Sequence, residues 1–246
     1  MPCIQHEAFL NPAEPLVCNY IPESGSICAI LKYAQQFNFN VVVKPLKGTG
    51  GADVFHASCP REIESAVIQV WRKDYGVAIA PFVEIVNEIR VVVLRGKSKL
   101  MYRKQRRCIT GDGINTVKQL IGSALGESSI SKSSIINSFS AMSDERLSYI
   151  PSVSEELPIE WRHNLGLGAV AELCFDPKVQ ALAVSAAQIL KLDFCSVDIV
   201  ETIGGTHSVL EVNSGVMMDS FLGSSSDYRS IAKAIYEEAI LYALLE

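Results

Sequence analysis

Two stretches decide the fold: Phe194-Cys195-Ser196-Val197-Asp198-Ile199-Val200-Glu201 and, beyond Gly204-Gly205, Ser208-Val209-Leu210-Glu211-Val212-Asn213. Both are rich in β-branched residues and a glycine pair parts them, so they read as the strands of a hairpin. Asp198 lies on the first strand. Glu211 and Asn213 lie on the second, two residues apart, so their side chains share a face. Two carboxylates and an amide oxygen make a hard, oxygen-only donor set, which suits Mg2+ held partly by protein and partly by phosphates. The plain alternative is a solvated strand face, and the apolar neighbours Val209, Leu210 and Val212 weigh against it.

Lys44-Pro45-Leu46-Lys47-Gly48-Thr49-Gly50-Gly51 follows a short β-branched run, Val41-Val42-Val43. A lysine at a strand end beside a glycine-rich loop can set a cation and several backbone N–H groups against phosphate oxygens. Glycine lets the backbone come close. The Walker pattern is absent, and a glycine-rich hairpin with a surface lysine is an equally good reading. Ala80-Pro81-Phe82-Val83, followed by Glu88, offers a strand end whose backbone can read an adenine edge and a carboxylate that can accept from ribose hydroxyls. The basic cluster Arg103, Lys104, Arg106 and Arg107 reads either as a solvated strand end or as a phosphate clamp.

Around these segments, residues 26–37 carry Ile27, Ile30, Leu31 and Ala34 at helical spacing. Residues 60–75 read as an amphipathic helix, with Glu62 and Glu64 in its first turn, Arg72 and Lys73 in its last, and Gly76 as its stop. Strands are expected at 54–57 and 77–83. A hairpin is expected over 89–94 and 99–102, turning at Arg95-Gly96-Lys97. Gly111-Asp112-Gly113 is a tight turn before a helix that begins over 116–121. Asp176-Pro177 opens a helix running to about residue 190, and residues 230–245 form a last helix. Residues 1–24 are proline-rich and polar, with a short apolar stretch over 16–20; residues 122–158 are rich in serine and yield no clear element. The mixture is α+β, with sheets covered by helices on one side.

The chain has 246 residues, 48% hydrophobic and 20% charged, enough for one large domain or two small ones with a packed core. A net charge of −5 is no whole-chain footprint for nucleic acid. No apolar run is long enough to span a bilayer and no signal-peptide pattern opens the chain. Seven cysteines without a C-x-x-C pair fit buried or free thiols in a reducing compartment. A cytoplasmic protein is expected, with neither nucleic acid nor membrane as partner.

In their order along the chain, Lys44-Pro45 with the glycine loop, the apolar hinge with Glu88, Asp198, and Glu211-Val212-Asn213 resemble the motifs of the ATP-grasp superfamily. From about residue 16 to the end, the chain is similar to the ligase domains of cyanophycin synthetases and bifunctional glutathione synthetases. Ile109-Thr110-Gly111-Asp112-Gly113-Ile114-Asn115-Thr116 resembles their G-D-G-x-x-T turn, and Asn164-Leu165-Gly166-Leu167-Gly168 their segment of an asparagine and glycines. The resemblance implies an α+β ATP-grasp fold: a small lid subdomain over 1–83, a large subdomain with the metal site over 84–246, antiparallel sheets covered by helices, and a nucleotide cleft between them. It implies an ADP-forming ligase that uses Mg-ATP to join a carboxylate to an amine through an acylphosphate.

The implied roles follow residue by residue. Lys44, Lys47, Gly48, Thr49, Gly50 and Gly51 hold ATP phosphates; Pro81, Phe82 and Val83 hold adenine and Glu88 the ribose. Asp198, Glu211 and Asn213 hold one or two Mg2+, which Mn2+ can replace. An arginine of relatives falls on Lys104, with Arg103 and Arg106 beside it; these and Asn164 are the candidate catalytic residues. Relatives carry a further domain and helix upstream and a proline after the metal asparagine, where this chain has Ser214-Gly215-Val216-Met217-Met218. The competing readings are a noncatalytic or truncated ATP-binding module needing a partner domain, and an ATP-dependent small-molecule kinase. The expected partners are small carboxylate and amine substrates, and a homo-oligomer or a chain supplying the upstream region. No protein nucleophile is required, so Cys108 and Cys195 read as buried thiols, and His56, His163 and His207 as structural or surface residues.

Overall fold

Valine-rich strands build two separate antiparallel sheets, and the chain divides around them into two units, Pro2–Glu84 and Ile85–Glu246, with Met1 counted in the second. The computed structural model describes residues 1–12, 26–48, 50–73, 76–127 and 142–245. The apolar stretch over 16–20, Thr49, Tyr75 and much of the serine-rich region fall outside the described residues.

In the first unit the order is β1 (Glu7–Leu10), α1 (Ile27–Gln35), β2 (Val41–Pro45), β3 (Phe55–Ala57), α2 (Pro60–Trp71) and β4 (Gly76–Pro81), and the sheet runs β1-β4-β2-β3. Helix α1 starts where Ser26 Oγ accepts from the Ala29 N–H at 3.1 Å, satisfying one of the first-turn donors. Its Ile30 and Ala34 join Ile63, Ala66, Val67 and Val70 of α2 over Val41, Val43, Val77 and Ile79 in one core. Helix α2 ends at Trp71, short of the expected 75, and Lys73 pairs instead with Asp53 at 2.8 Å. Gly76 does not stop the helix but opens β4. A Cβ there would stand 2.6 Å from Leu46 Cδ1 and 2.9 Å from the Phe9 carbonyl oxygen, so the close neighbour β1 demands glycine.

The second unit runs β5 (Ile85–Leu94), β6 (Lys97–Gln105), β7 (Cys108–Thr110), α3 (Val117–Glu127), α4 (Asp144–Ser148), β8 (Glu156–Pro158), β9 (Val170–Leu173), α5 (Pro177–Ile189), β10 (Phe194–Thr202), β11 (His207–Asn213), α6 (Asp219–Leu222) and α7 (Tyr228–Leu245). Five strands form the sheet β11-β10-β5-β6-β9, and β7 pairs with β8 in a small ribbon. The β5–β6 turn places Arg95 and Gly96 at φ of 51° and 68°, the left-handed pair that a tight hairpin needs. Helix α5 is capped by Asp176, which accepts from the Lys178 N–H at 2.8 Å. No helix among the described residues is long and apolar enough to cross a membrane.

The two faces of this sheet differ. On one, Ile89, Val91, Val93, Val197 and Ile199 pack on Val179, Ala183, Ala186 and Ala187 of α5. On the other, Val92, Leu100 and Tyr102 are covered by Phe221 of α6 and by Ala232 and Ile235 of α7. Helices therefore lie on both faces of the large sheet, not on one as the element pattern suggested. Tyr102 stacks on Phe221 with centroids 4.9 Å apart, and beyond Tyr102 the same face turns ionic.

A bulge adjusts β11. Asp198 opposes Glu211 while Ile199 opposes Val209, leaving Leu210 as the extra residue. Under strict alternation Val209 and Glu211 would share a face. With the bulge, Val209 and Val212 both pack into the core on the α5 side, and Glu211 faces with Asp198.

Two glycines should respond oppositely to alanine in thermal melts. Gly111→Ala sets a Cβ 2.1 Å from the Ser152 carbonyl oxygen, which should cost about 1–3 kcal/mol. Gly122→Ala meets nothing within 4 Å inside α3 and should stabilise by about 0.5–1 kcal/mol. A Gly111→Ala protein melting at the wild-type temperature would contradict the close packing of that turn.

Candidate functional site

Four strands present charged or amide side chains on the ionic end of the second sheet: Glu88 and Arg90 from β5, Lys104 from β6, Asp198 from β10, and Glu211 and Asn213 from β11. The register sets Asp198 directly between Arg90 and Glu211. Arg90 donates from Nε to Asp198 Oδ1 at 2.7 Å and from Nη2 to Oδ2 at 2.6 Å, a forked charge-assisted pair. Lys104 Nζ lies 3.0 Å from Asp198 Oδ2 and donates also to Glu88 Oε1. Asn213 Nδ2 donates to Glu211 Oε1 at 2.9 Å, and that oxygen is 4.0 Å from Arg90 Nη2. Asp198 is 1% exposed, Lys104 6% and Glu88 8%, so this is a buried ionic cluster and not a solvated strand end.

Burial by itself raises the Asp198 carboxyl, but Lys104 and Arg90 outweigh it and hold the group well below the usual carboxylate range. For Glu88 burial wins. Reinforced by Asp198 and Glu211 and opposed by Lys104, it pushes the carboxyl from 4.5 up to about 7. Burial lowers Lys104, but Asp198 and Glu88 overcome it and the ammonium is held above its ordinary value.

The other expected site residues lie elsewhere. Arg103 points to the opposite face from its neighbour Lys104, as strand alternation requires. It sits 3.6 Å from Glu172, and its Nε is buried with no hydrogen-bond partner among the described residues. Arg106 Nη1 donates to the Trp161 carbonyl at 3.3 Å. Asn164 is not on the sheet: its Oδ1 accepts from the Gly166 N–H at 2.8 Å and caps a short helical turn, Leu165–Leu167. Asp112 serves its own turn, accepting from the N–H groups of Ile114 and Asn115 at 2.9 and 2.7 Å. His163 is buried, with Nδ1 2.9 Å from the Lys104 carbonyl oxygen and Nε2 3.4 Å from that of Ile85, and burial lowers its pKa. Cys195 is buried. Cys108 is exposed, contrary to the reading of a buried thiol, because β7 turns Ile109 inward and its neighbours outward.

In the first unit, Lys44 and Pro45 end β2, and Lys47 and Gly48 follow. Gly50 and Gly51 take φ of 67° and 71°, conformations that favour glycine. Pro81 ends β4, with Val83 two residues beyond. Between them, the Phe82 ring stacks on His56 with centroids 3.8 Å apart and the Phe82 N–H donates to the Asn40 carbonyl at 3.0 Å.

Arg90 escaped the sequence reading. A guanidinium two residues after Glu88 inside the apolar run of β5 is a signal that could have found it, since the period of two sets both on one face. Among the described residues, no group of three or more His, Cys, Asp or Glu could hold a metal by itself. The available oxygens are those of Asp198, Glu211 and Asn213, and Arg90 and Lys104 make three contacts to Asp198. Such a set fits a Mg2+ that draws its remaining oxygens from a nucleotide and water.

Residues 150–235, which include Asp198, Glu211 and Asn213, match the family model of a RimK-like ATP-grasp domain. No curated protein sequence matches the chain. Among solved structures, it is similar to D-alanine–D-alanine ligase from Bacillus anthracis, at 15% identity over 94% of this chain and 58% of that one, with a TM-score of 0.55. It is similar to the D-cycloserine synthetase DcsG, at 17% identity over 96% and 65%, with a TM-score of 0.51. The ATP-grasp ligase PsnB, complexed with minimal precursor, shares 15% identity over 92% and 51%, with a TM-score of 0.47. The chain thus spans about half to two thirds of the length of these proteins. The fold is the ATP-grasp fold. The match to the RimK-like model is confined to residues 150–235, which include the strands that bear the acidic hairpin.

The cluster should show in the pH dependence of stability. Glu88 binds its proton more tightly folded than unfolded. Its contribution is therefore complete below 4.5 and is lost as pH rises toward 7, about 3 kcal/mol in all. Glu88→Gln removes that titration. Denaturant unfolding of the variant between pH 5 and 7.5 should give a flatter profile than the wild type, and parallel profiles would contradict the assignment.

Proposed function

We propose that the protein is an ADP-forming ligase that activates a carboxylate with ATP and passes it to an amine. The observation that carries this reading is the ionic end of one ATP-grasp sheet face, where Lys104, Glu88, Asp198, Glu211 and Asn213 converge within and beside the RimK-like segment. Carboxylate-activating chemistry needs positioning and charge neutralisation at a transferred phosphoryl group, and no protein nucleophile.

The roles are assigned as follows. Lys44 and the loop Lys47-Gly48-Thr49-Gly50-Gly51 hold ATP phosphates. The backbone at Pro81 and Val83, with the Phe82 ring, holds adenine. Glu88 accepts Lys104 on Oε1 and keeps Oε2 for ribose hydroxyls. Of the basic residues after β5, Lys104 is the one whose ammonium stands in the acidic cluster, so it is assigned to the transferred phosphoryl in preference to Arg103 and Arg106. Arg90 orients the Asp198 carboxylate. Mg2+, or Mn2+ in its place, held by Asp198, Glu211 and Asn213, would supply charge neutralisation to the triphosphate. The unit Pro2–Glu84 takes the part of the small subdomain and Ile85–Glu246 that of the large one. The amine attacks the acyl carbon and inorganic phosphate leaves.

Substrate-dependent ADP release, with hydroxylamine to trap an acylphosphate as a hydroxamate, tests the reaction. ADP release with a phosphorylated product and no hydroxamate would indicate a kinase. Tight Mg-ATP binding without turnover on a mixed pool of amino acids and acidic peptides would indicate a noncatalytic module. Glu211→Gln should lower turnover about 10²–10³-fold with an unchanged melting temperature, since Glu211 is exposed. Asp198→Asn should do the same and also destabilise, because it removes the counter-charge of Arg90 and Lys104. Lys44→Met should weaken ATP binding about tenfold. Full activity in Glu211→Gln would remove the metal assignment.

A further inference from the structure

At the end of β5 and β6 away from Glu88 and Lys104, three elements finish together. The Arg95 N–H donates at 2.7 Å to the carbonyl of Asp193, just after α5. The Arg95 guanidinium lies 3.9 Å over the ring of Tyr242 in the last turn of α7, and Lys99 Nζ meets Glu238 Oε1 one turn earlier at 2.6 Å. The β5–β6 turn thus ties down the ends of both covering helices.

Helix α7 has a packing face and then runs past it. Ala232 and Ile235 are buried in the core, and the Tyr236 hydroxyl donates to the Val216 carbonyl at 2.9 Å. Beyond Tyr236, Ile240, Leu241, Leu244 and Leu245 recur at helical spacing. With Ile189 and Leu190 at the end of α5, they range from 51% exposed at Leu190 to 86% at Leu245. These six aliphatic side chains leave roughly 600 Å2 bare, as much as the largest patch of an ordinary monomer. Beside the α7 stripe is a hollow of about 350 Å3 lined by Arg95, Glu238, Leu241, Tyr242 and Leu245. Leu244 stands outside the hollow, 75% exposed.

Charge is ordered along the same stripe. Glu237 and Glu238 stand exposed at its start, and Arg95 and Lys97 stand exposed at its end. Neither of these cations has a carboxylate within 4.0 Å among the described residues. A twofold axis that sets two such stripes antiparallel brings the acidic start of one to the basic end of the other, and the hollow of each to the projecting Leu244 of the facing helix. Two faces so joined remove roughly 1,200 Å2 from water, where specific interfaces begin. An anionic lipid surface offers no such match to Glu237 and Glu238. We propose that this end of the second unit is the contact between two copies of the chain, with α7 packed on α7 across the axis. The contact stands apart from the ligase reading, since none of its residues belongs to the ionic cluster.

Sedimentation equilibrium of the intact chain at about 50 μM should give twice the chain mass. Leu241→Glu combined with Leu244→Glu, both at exposed positions, should weaken association roughly a hundredfold or more and leave a single-chain mass with an unchanged far-ultraviolet spectrum. Phe175→Glu, at a position 75% exposed on the link from β9 to α5, should leave the dimer intact. Arg95→Glu with Lys97→Glu should weaken association roughly tenfold, and adding Glu237→Lys and Glu238→Lys should recover it. This charge exchange decides the matter should the leucine variant misfold. A single-chain mass for the wild type, a dimer that survives both leucine changes, equal dissociation by Phe175→Glu, or no recovery on charge exchange would overturn the proposal. So would capture of a monomeric wild type by phosphatidylcholine–phosphatidylserine vesicles that leave the double leucine variant in solution, because the stripe would then face a membrane.

Discussion

Asp198 can be taken out of water only because Arg90 and Lys104 go with it. An isolated buried carboxylate costs several kcal/mol, and removing one partner of a buried pair typically costs about 3–5 kcal/mol. Here the carboxylate receives three charged contacts from two strands. Strands β5, β6 and β10 are therefore tied at one point, and Glu88 is drawn in with them. The arrangement fixes the orientation of these carboxylates and cations against one another.

The same sheet face has two characters, and Tyr102 marks the change. On one side of it lie Val92 and Leu100 under α6 and α7; on the other lie Lys104, Glu88 and Asp198. Helical cover is spent only where the strand residues are apolar. The bulge at Leu210 makes the outer strand obey the same division, since Val209 and Val212 go to the core while Glu211 stays with Asp198. Local irregularity in β11 is thus what lets a strand of seven residues serve a hydrophobic core and a polar site together.

Much of this could be read from residue types. The β-branched runs of β2, β10 and β11, the Asp176-Pro177 cap and the Arg95-Gly96 turn each have a local cause, and each stands where that cause placed it. What escaped depends on distant neighbours. Strand β1 has one buried residue, Phe9, and no alternation long enough to notice. Gly76 looked like a helix stop because the approach of Leu46 and Phe9 is invisible along the chain. Lys104 read equally as part of a solvated strand end or of a phosphate clamp, because its partners Glu88 and Asp198 lie 16 and 94 positions away. The acidic hairpin was legible because three residue types at fixed spacing on paired strands are themselves a local pattern. Arg90, which completes it, was hidden inside an apolar run.

The opening strand has a consequence for anyone who trims the chain. Residues Glu7 to Leu10 hydrogen-bond along β4 from Ile79 to Gly76, on the side of β4 away from β2. A version beginning after residue 10 would leave that row of backbone donors and acceptors bare and uncover the apolar pocket of Phe9. A bare border of that kind recruits strands from other molecules, so shortening this end invites self-association as well as removing Phe9 from the core.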